Sequence, residues 1–308
     1  MASQSTSFWP NLMNLVNISN LVQSDPNNDL HDLKVLLKSY FRGNAVQVFL
    51  FGSRFLGVGN ERSDFDVCVK IDNGFIEQNI MRIKNAIKSD ANWKFLEMLD
   101  GKCHVIRAVS VPMNLQYDIN CSGDLAYCKN KLVKYIFDLQ PIARYMVIYL
   151  RDWTNKHNLS GSFRSHIIVK MVIYFLQVAK FLPGIQHFLK NQLITSEDCD
   201  IDFIELKLSS FNMSKIIVNE TETREILIKF FQYYSNFSFS YYTICPYLGF
   251  EVSTSSLSTK MPKSFTNPYF YRDAVVMQDM FYLNCNKAKP IKPCSVEHFK
   301  AACRKSVV

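Results

Sequence analysis

The sequence predicts an α+β protein of two lobes, a small sheet-containing module set into a mostly helical remainder. Three observations carry that expectation. From Val46 to Cys121 the apolar residues fall into short runs of β type, and after Gly123 their spacing changes to the helical period. The composition, 48% hydrophobic and 20% charged with 10 Gly and 10 Pro in 308 residues, is that of a chain that buries a core. At this length one or two domains are the natural expectation. No internal repeat and no low-complexity segment interrupts the pattern.

Taken in order, "HDLKVLLKSYF" (31–41) has apolar positions at helical spacing. Four β-type runs follow, "VQVFLF", "FDVCVKI", "HVIRAVSV" and "LQYDINC", with one helix between them over Gly74 to Ser89. Beyond Gly123, "DLAYCKNKLVKYIFDL" stops before Pro141, "PIARYMVIYLRDWTNKHN" follows, and "RSHIIVKMVIYFLQVAKFL" runs to Pro183-Gly184. A further helix covers Thr221 to Phe237. Residues 1–42 then form an N-terminal helical segment packing on the helical lobe, 43–122 the sheet module, and 123–308 the helical lobe with a basic tail. A cleft is expected between the lobes.

The formal charge of +8 makes a polyanion a plausible partner. The excess is uneven: between Asn284 and Val308 stand Lys287, Lys289, Lys292, Lys300, Arg304 and Lys305 against the single acid Glu297, a solvated tail or an RNA-contacting one. Nine cysteines without a C-x-x-C pair indicate neither a zinc knuckle nor a disulfide framework and fit a reducing compartment. The N-terminus lacks a basic stretch followed by an apolar one, so secretion is not expected. The most apolar run, Ile167 to Leu182, carries Lys170 and Lys180 and is too short to span a bilayer. These features together predict a soluble, cytoplasmic protein without a membrane partner.

The stretch "FLFGSRFLGVGNERSDFDVCVKI" places two carboxylates in an apolar run just after a glycine-serine turn. On a strand, Asp64 and Asp66 point to one face while Phe65 and Val67 pack on the other. Two carboxylates a few ångströms apart repel, and a divalent cation removes that penalty. Asp118, in "LQYDIN", supplies a third acid from a later strand. Three acids converging on a sheet edge can hold two Mg²⁺ ions for in-line phosphoryl or nucleotidyl transfer. Gly52-Ser53 adds a tight turn whose N–H groups and hydroxyl suit phosphate oxygens.

These residues resemble the signature of the DNA polymerase β-like nucleotidyltransferases, specifically the cytoplasmic terminal poly(A)/poly(U) RNA nucleotidyltransferases. The likeness extends through "YLRDWTNKHNLSGSFRSHIIVKMVIYFLQ" and "FLPGIQHF" to "EILIKFFQYYSNFSFSYYTICP" and "FTNPYFYRDAV", which is similar to the poly(A)-polymerase-associated segment. The resemblance implies a nucleotidyltransferase catalytic domain over 43–122, with Mg²⁺ or Mn²⁺ on Asp64, Asp66 and Asp118. It also implies triphosphate contacts at Gly52 and Ser53, with Asp118 helping to activate the attacking 3′-hydroxyl. Asn130 is the candidate for ribose contact.

The sequence departs from the family at several of these places. The lysine positions of its "K-x-W-x-K" helix read Arg151 and Asn155 here, and Arg keeps the charge without being an equivalent fit. The Ser-Tyr pair whose tyrosine stacks on the base is Ser165-His166. At the base-choice segment, uridylyl-adding members place an acid and a histidine where this chain has Asn267 and Asp273, with Tyr269, Phe270 and Tyr271 around them. An amide can pair with the uracil edge, and crowded aromatics favour a pyrimidine. The expected activity is addition of UMP from UTP to an RNA 3′ end with release of pyrophosphate. A poly(A) polymerase using ATP and a catalytically weak homologue serving as a binding scaffold are the alternatives. With no zinc finger and no RRM-type aromatic motif visible, RNA affinity is expected from the basic surface, or from a protein partner or homo-oligomer.

Overall fold

The sheet module is built from strands whose alternation decides which side is covered. A computed structural model describes residues 8–25, 28–100, 104–121, 125–190, 203–262, 265 and 273–307. Five strands, β1 (Val46–Phe51), β2 (Phe65–Ile71), β3 (Trp93–Leu99), β4 (Val105–Ser110) and β5 (Leu115–Asn120), form one mixed sheet in the order β1-β2-β5-β4-β3. β2 and β5 run parallel and every other pair is antiparallel. Two helices, α2 (His31–Tyr40) and α4 (Ile76–Ser89), contribute Leu33, Leu36, Leu37, Ile80, Ile83 and Ile87 to a core shared with the sheet. Phe65, Val67, Ile106, Ala108, Tyr117 and Ile119 meet them from the strands. Because side chains alternate, Asp66, Arg107 and Asp118 stand on the opposite face. Tyr117 anchors the covered side, stacked on Phe65 at 4.8 Å with its hydroxyl donating to Asp29 O at 2.7 Å.

β3 is a strand the sequence reading did not contain. Its register shifts between Phe95 and Glu97, and this β-bulge destroys the period-two alternation by which strands are recognised. The elements that the sequence does predict are found to within a few residues. The largest difference is at α7 (Ser165–Val178), expected to continue to Leu182. It ends early because Lys180 takes a left-handed conformation (φ 63°), letting Phe181 and Leu182 donate back to Leu176 O.

The chain divides into two compact units, residues 17–133 and residues 1–16 with 134–308. The segment 1–42, expected as one piece on the helical lobe, is therefore divided. The division passes through α1 (Phe8–Leu21), whose Phe8 packs edge-on against Tyr149 at 5.4 Å, while Leu33, Leu36 and Leu37 of α2 belong to the sheet core. Apolar burial decided this: the amphipathic stripe of α2 is complementary to the sheet face.

In the helical unit, α6 (Ile142–Lys156), α7, α8 (Glu220–Asn236) and α10 (Pro293–Ser306) surround an aromatic core. Every α7 residue from Ile167 to Gln177 is buried, which is why its sequence is apolar on all sides. Phe163 stacks on Phe299 at 4.3 Å, and Tyr234 donates to Met171 O at 2.8 Å. The expected basic tail is corrected here: α10 buries Val296, Phe299, Ala302 and Cys303, and only its outer face carries charge. Among the described residues no helix is long and apolar enough to cross a membrane.

Candidate active site

β1 delivers the chain into a sharp turn at Gly52, whose φ of 79° suits glycine, followed by the single-turn helix α3 (Gly52–Phe55). Space demands glycine as well, because a Cβ there would overlap the Asp66 carboxylate. The turn and the acid are thus packed as one object. The Gly52 N–H donates to Asn130 Oδ1 at 3.1 Å, and Asn130 Nδ2 donates to Ala126 O at 2.7 Å within α5 (Leu125–Leu139). Asn130, expected at a ribose, here uses both ends of its amide to fix the turn. The Gly52 N–H, expected to face phosphate, is engaged by it.

Arg54 was not anticipated. It is 6% exposed, donates from Nε to Ser63 O at 2.6 Å and from Nη1 to Val22 O at 3.1 Å, and lies 4.6 Å over the Phe65 ring. Burial lowers its pKa, and the charges of Asp29 and Asp64 oppose that shift. The buried guanidinium joins the turn to the chain entering β2, so that Asp64, immediately before the strand, is held from behind.

The strand register sets the rest. Phe51 pairs with Asp66, Asp66 with Asp118, Asp118 with Arg107 and Arg107 with Glu97, a single row crossing all five strands. Asp118 accepts from Arg107 Nε at 3.2 Å and from Gln116 Nε2 at 3.3 Å. Its pKa is raised, by burial first and by the charge of Asp64 further, with Arg107 and Gln116 pulling the other way. Arg107 Nη1 also donates to Glu97 Oε1 at 2.7 Å.

Asp64, Asp66 and Asp118 offer hard oxygen donors of the kind Mg²⁺ and Mn²⁺ take. The donor chemistry fits a divalent cation. Among the described residues, no three His, Cys, Asp or Glu side chains are gathered into a metal-holding cluster.

The helical unit carries the other expected residues. Arg151 is half-buried on α6, Asn155 is exposed one turn on, and the neighbouring Lys156 pairs with Asp152 at 2.7 Å. Ser165 opens α7 and His166 follows it, exposed. Crowding by surrounding protein, then Lys170, Lys287 and Arg164, hold the His166 pKa below its ordinary value. Asp273 is half-buried and accepts from Asn286 Nδ2 at 2.8 Å. Asn267, Tyr269, Phe270 and Tyr271 lie outside the described residues.

Arg107 and Glu97, like Arg54, are residues that sequence reasoning missed. The available signal was a lone arginine inside "HVIRAVSV", the same anomaly that exposed the two acids.

Residues 12–138 match the family model described as the central palm domain of mitochondrial-like poly(A) RNA polymerase. The chain is 26% identical over 237 residues to the poly(A) RNA polymerase gld-2 of Caenorhabditis elegans, covering 71% of this chain and 21% of that protein. It therefore spans about a fifth of that relative's length. Among solved structures, Cid1 poly(U) polymerase with MgGTP bound superimposes with a TM-score of 0.77 at 17% identity, covering 98% of this chain and 94% of that one. The structure of mtPAP in complex with UTP gives 0.74 at 19% identity, covering 97% and 69%. Both share this mixed helix-and-sheet fold.

Proposed function

We propose that the chain, whose residues 12–138 match the central palm model, is a member of the poly(A)/poly(U) RNA nucleotidyltransferase family and a template-independent RNA 3′-terminal nucleotidyltransferase favouring UTP. The observation that carries the proposal is the Asp66–Asp118 pairing across parallel strands, with glycine packed against the Asp66 carboxylate. Asp64, Asp66 and Asp118 would hold Mg²⁺ or Mn²⁺, which supplies charge neutralisation for the triphosphate and the leaving group.

The chain's own residues do the following. Asp118 takes the proton of the RNA 3′-hydroxyl. The 3′-oxygen then forms a bond to the α-phosphorus as the α–β bridging bond breaks, and pyrophosphate leaves. Asn130 keeps the Gly52 turn in place, so the Ser53 hydroxyl is presented from a fixed backbone. Arg151 supplies a cation for the triphosphate, and neutral His166, beside Ser165, offers an uncharged ring to a base.

The preference for UTP rests on composition at Asn267 and the neighbouring aromatics. Asp273 contributes less, because its carboxylate already serves Asn286. Purified protein should be incubated with one labelled single-stranded RNA, each NTP in turn, and Mg²⁺ or Mn²⁺. Extension fastest with UTP is expected. An ATP rate well above the UTP rate would make this an adenylyltransferase, and no extension with any NTP would leave a binding scaffold.

A further inference from the structure

Arg107 lies between two carboxylates that do not hold it equally. Its Nη1 reaches Glu97 Oε1 at 2.7 Å, while its Nε reaches Asp118 Oδ1 and Oδ2 at 3.2 and 3.4 Å. A charge-assisted bond of the first length is strong and the other two are long. Glu97 stands opposite Arg107 only because the β3 bulge shifts the register there; in an unbulged strand its neighbour would take that place. The bulge re-aims one glutamate at the far side of a guanidinium whose near side engages Asp118. The two glutamate and arginine side chains are 50% and 33% exposed, against 16% for Asp118. The pair is therefore wet at one end and sheltered at the other.

We propose that Glu97 is a positioning residue that acts through Arg107 to set how readily Asp118 is released to a divalent cation. The inference rests on the metal-dependent reading of the acids given above. With Glu97 present, Arg107 can leave Asp118 without losing its carboxylate partner, because its shorter bond stays intact. Without Glu97, the guanidinium turns wholly to Asp118 and competes with the incoming cation. Arg107 then shields Asp118 while the site is metal-free and steps aside when it fills.

The test is Mn²⁺ binding to the whole chain by titration calorimetry, without RNA or NTP, for wild type, Glu97→Gln, Arg107→Gln and the double variant. Thermal unfolding of each checks the fold, which these partly exposed positions should not disturb. Glu97→Gln should weaken Mn²⁺ binding about two- to fivefold, the scale of a partly exposed ion pair, and Arg107→Gln should tighten it by a similar factor. The double variant should bind like Arg107→Gln alone, because Glu97 then has nothing to act through. Equal weakening by Glu97→Gln in both backgrounds would show an independent charge effect and overturn the inference, as would no weakening in either. Asp66→Asn serves as the control: a Mn²⁺ isotherm unchanged by it would overturn the metal reading itself, and this inference with it.

Discussion

The sheet module and the helical unit place their candidate residues by different means. On the sheet, Asp66, Asp118 and Arg107 are fixed by register, so a one-residue slip would turn all of them to the covered face. Gly52 is fixed by a collision with Asp66 that any side chain would create. In the helical unit Arg151, Ser165 and His166 are single positions on α6 and α7, where a change of side chain alters the contact without disturbing the backbone. Chemistry written into a sheet register tolerates no drift, whereas recognition written on helix surfaces can vary. Arg151, Asn155 and His166, the positions at which the sequence differs from the family pattern it resembles, all stand on such helices.

The sharpest way to break the comparison is at the acids. Asp64→Ala, Asp66→Ala or Asp118→Asn should lower nucleotide addition by at least about a hundredfold, as loss of a major charge-stabilising group does. Removing one of several like charges should leave the apo fold intact. Single-nucleotide extension together with a melting curve checks both, and near-normal turnover in any of the three would remove that residue from the site.

Gly52→Ala tests whether turn and acid are one object. It should destabilise the protein by about 1–3 kcal/mol and also cut turnover, because the strained turn can relax only by moving Asp66. Denaturant unfolding and steady-state kinetics should move together; a stability loss with unchanged turnover would separate them.

On the helical side the expected effects are smaller. Arg151→Ala should raise the apparent KM for NTP by about tenfold, the loss of one charged hydrogen bond, with RNA affinity little changed. An unchanged KM would make Arg151 a structural residue of α6.

The smallest effect concerns pH. The folded-state pKa of His166 lies below its ordinary value, so the unfolded chain binds the additional proton. Stability from this group is present above about pH 6.5 and declines as pH falls below it. Between pH 7.5 and 5.5 the Tm of wild type should drop more than that of His166→Gln. Parallel curves would show that the imidazole titrates as an exposed group.

The helices α2 and α4 to α8, four of the five strands of the large sheet, the turn at Gly52 and the placing of Asp66 and Asp118 side by side on the sheet were legible because each leaves a local mark. Helices show their period, and a charge in an apolar strand is an anomaly that demands a partner. β3 left no such mark, since its bulge broke the alternation, and with it Glu97 went unseen. α10 was hidden by its own lysines, which cover the outer face of a helix whose Phe299 is fully buried. By itself the sequence determined which residue types are present and which face of each element is apolar. Only the tertiary structure decided that Asn130 braces Gly52, that Arg54 joins the turn to β2, and that Asp118 is shared with Arg107. Those pairings join residues 78, 9 and 11 positions apart, and such separations close only when strand register and burial bring the partners within reach.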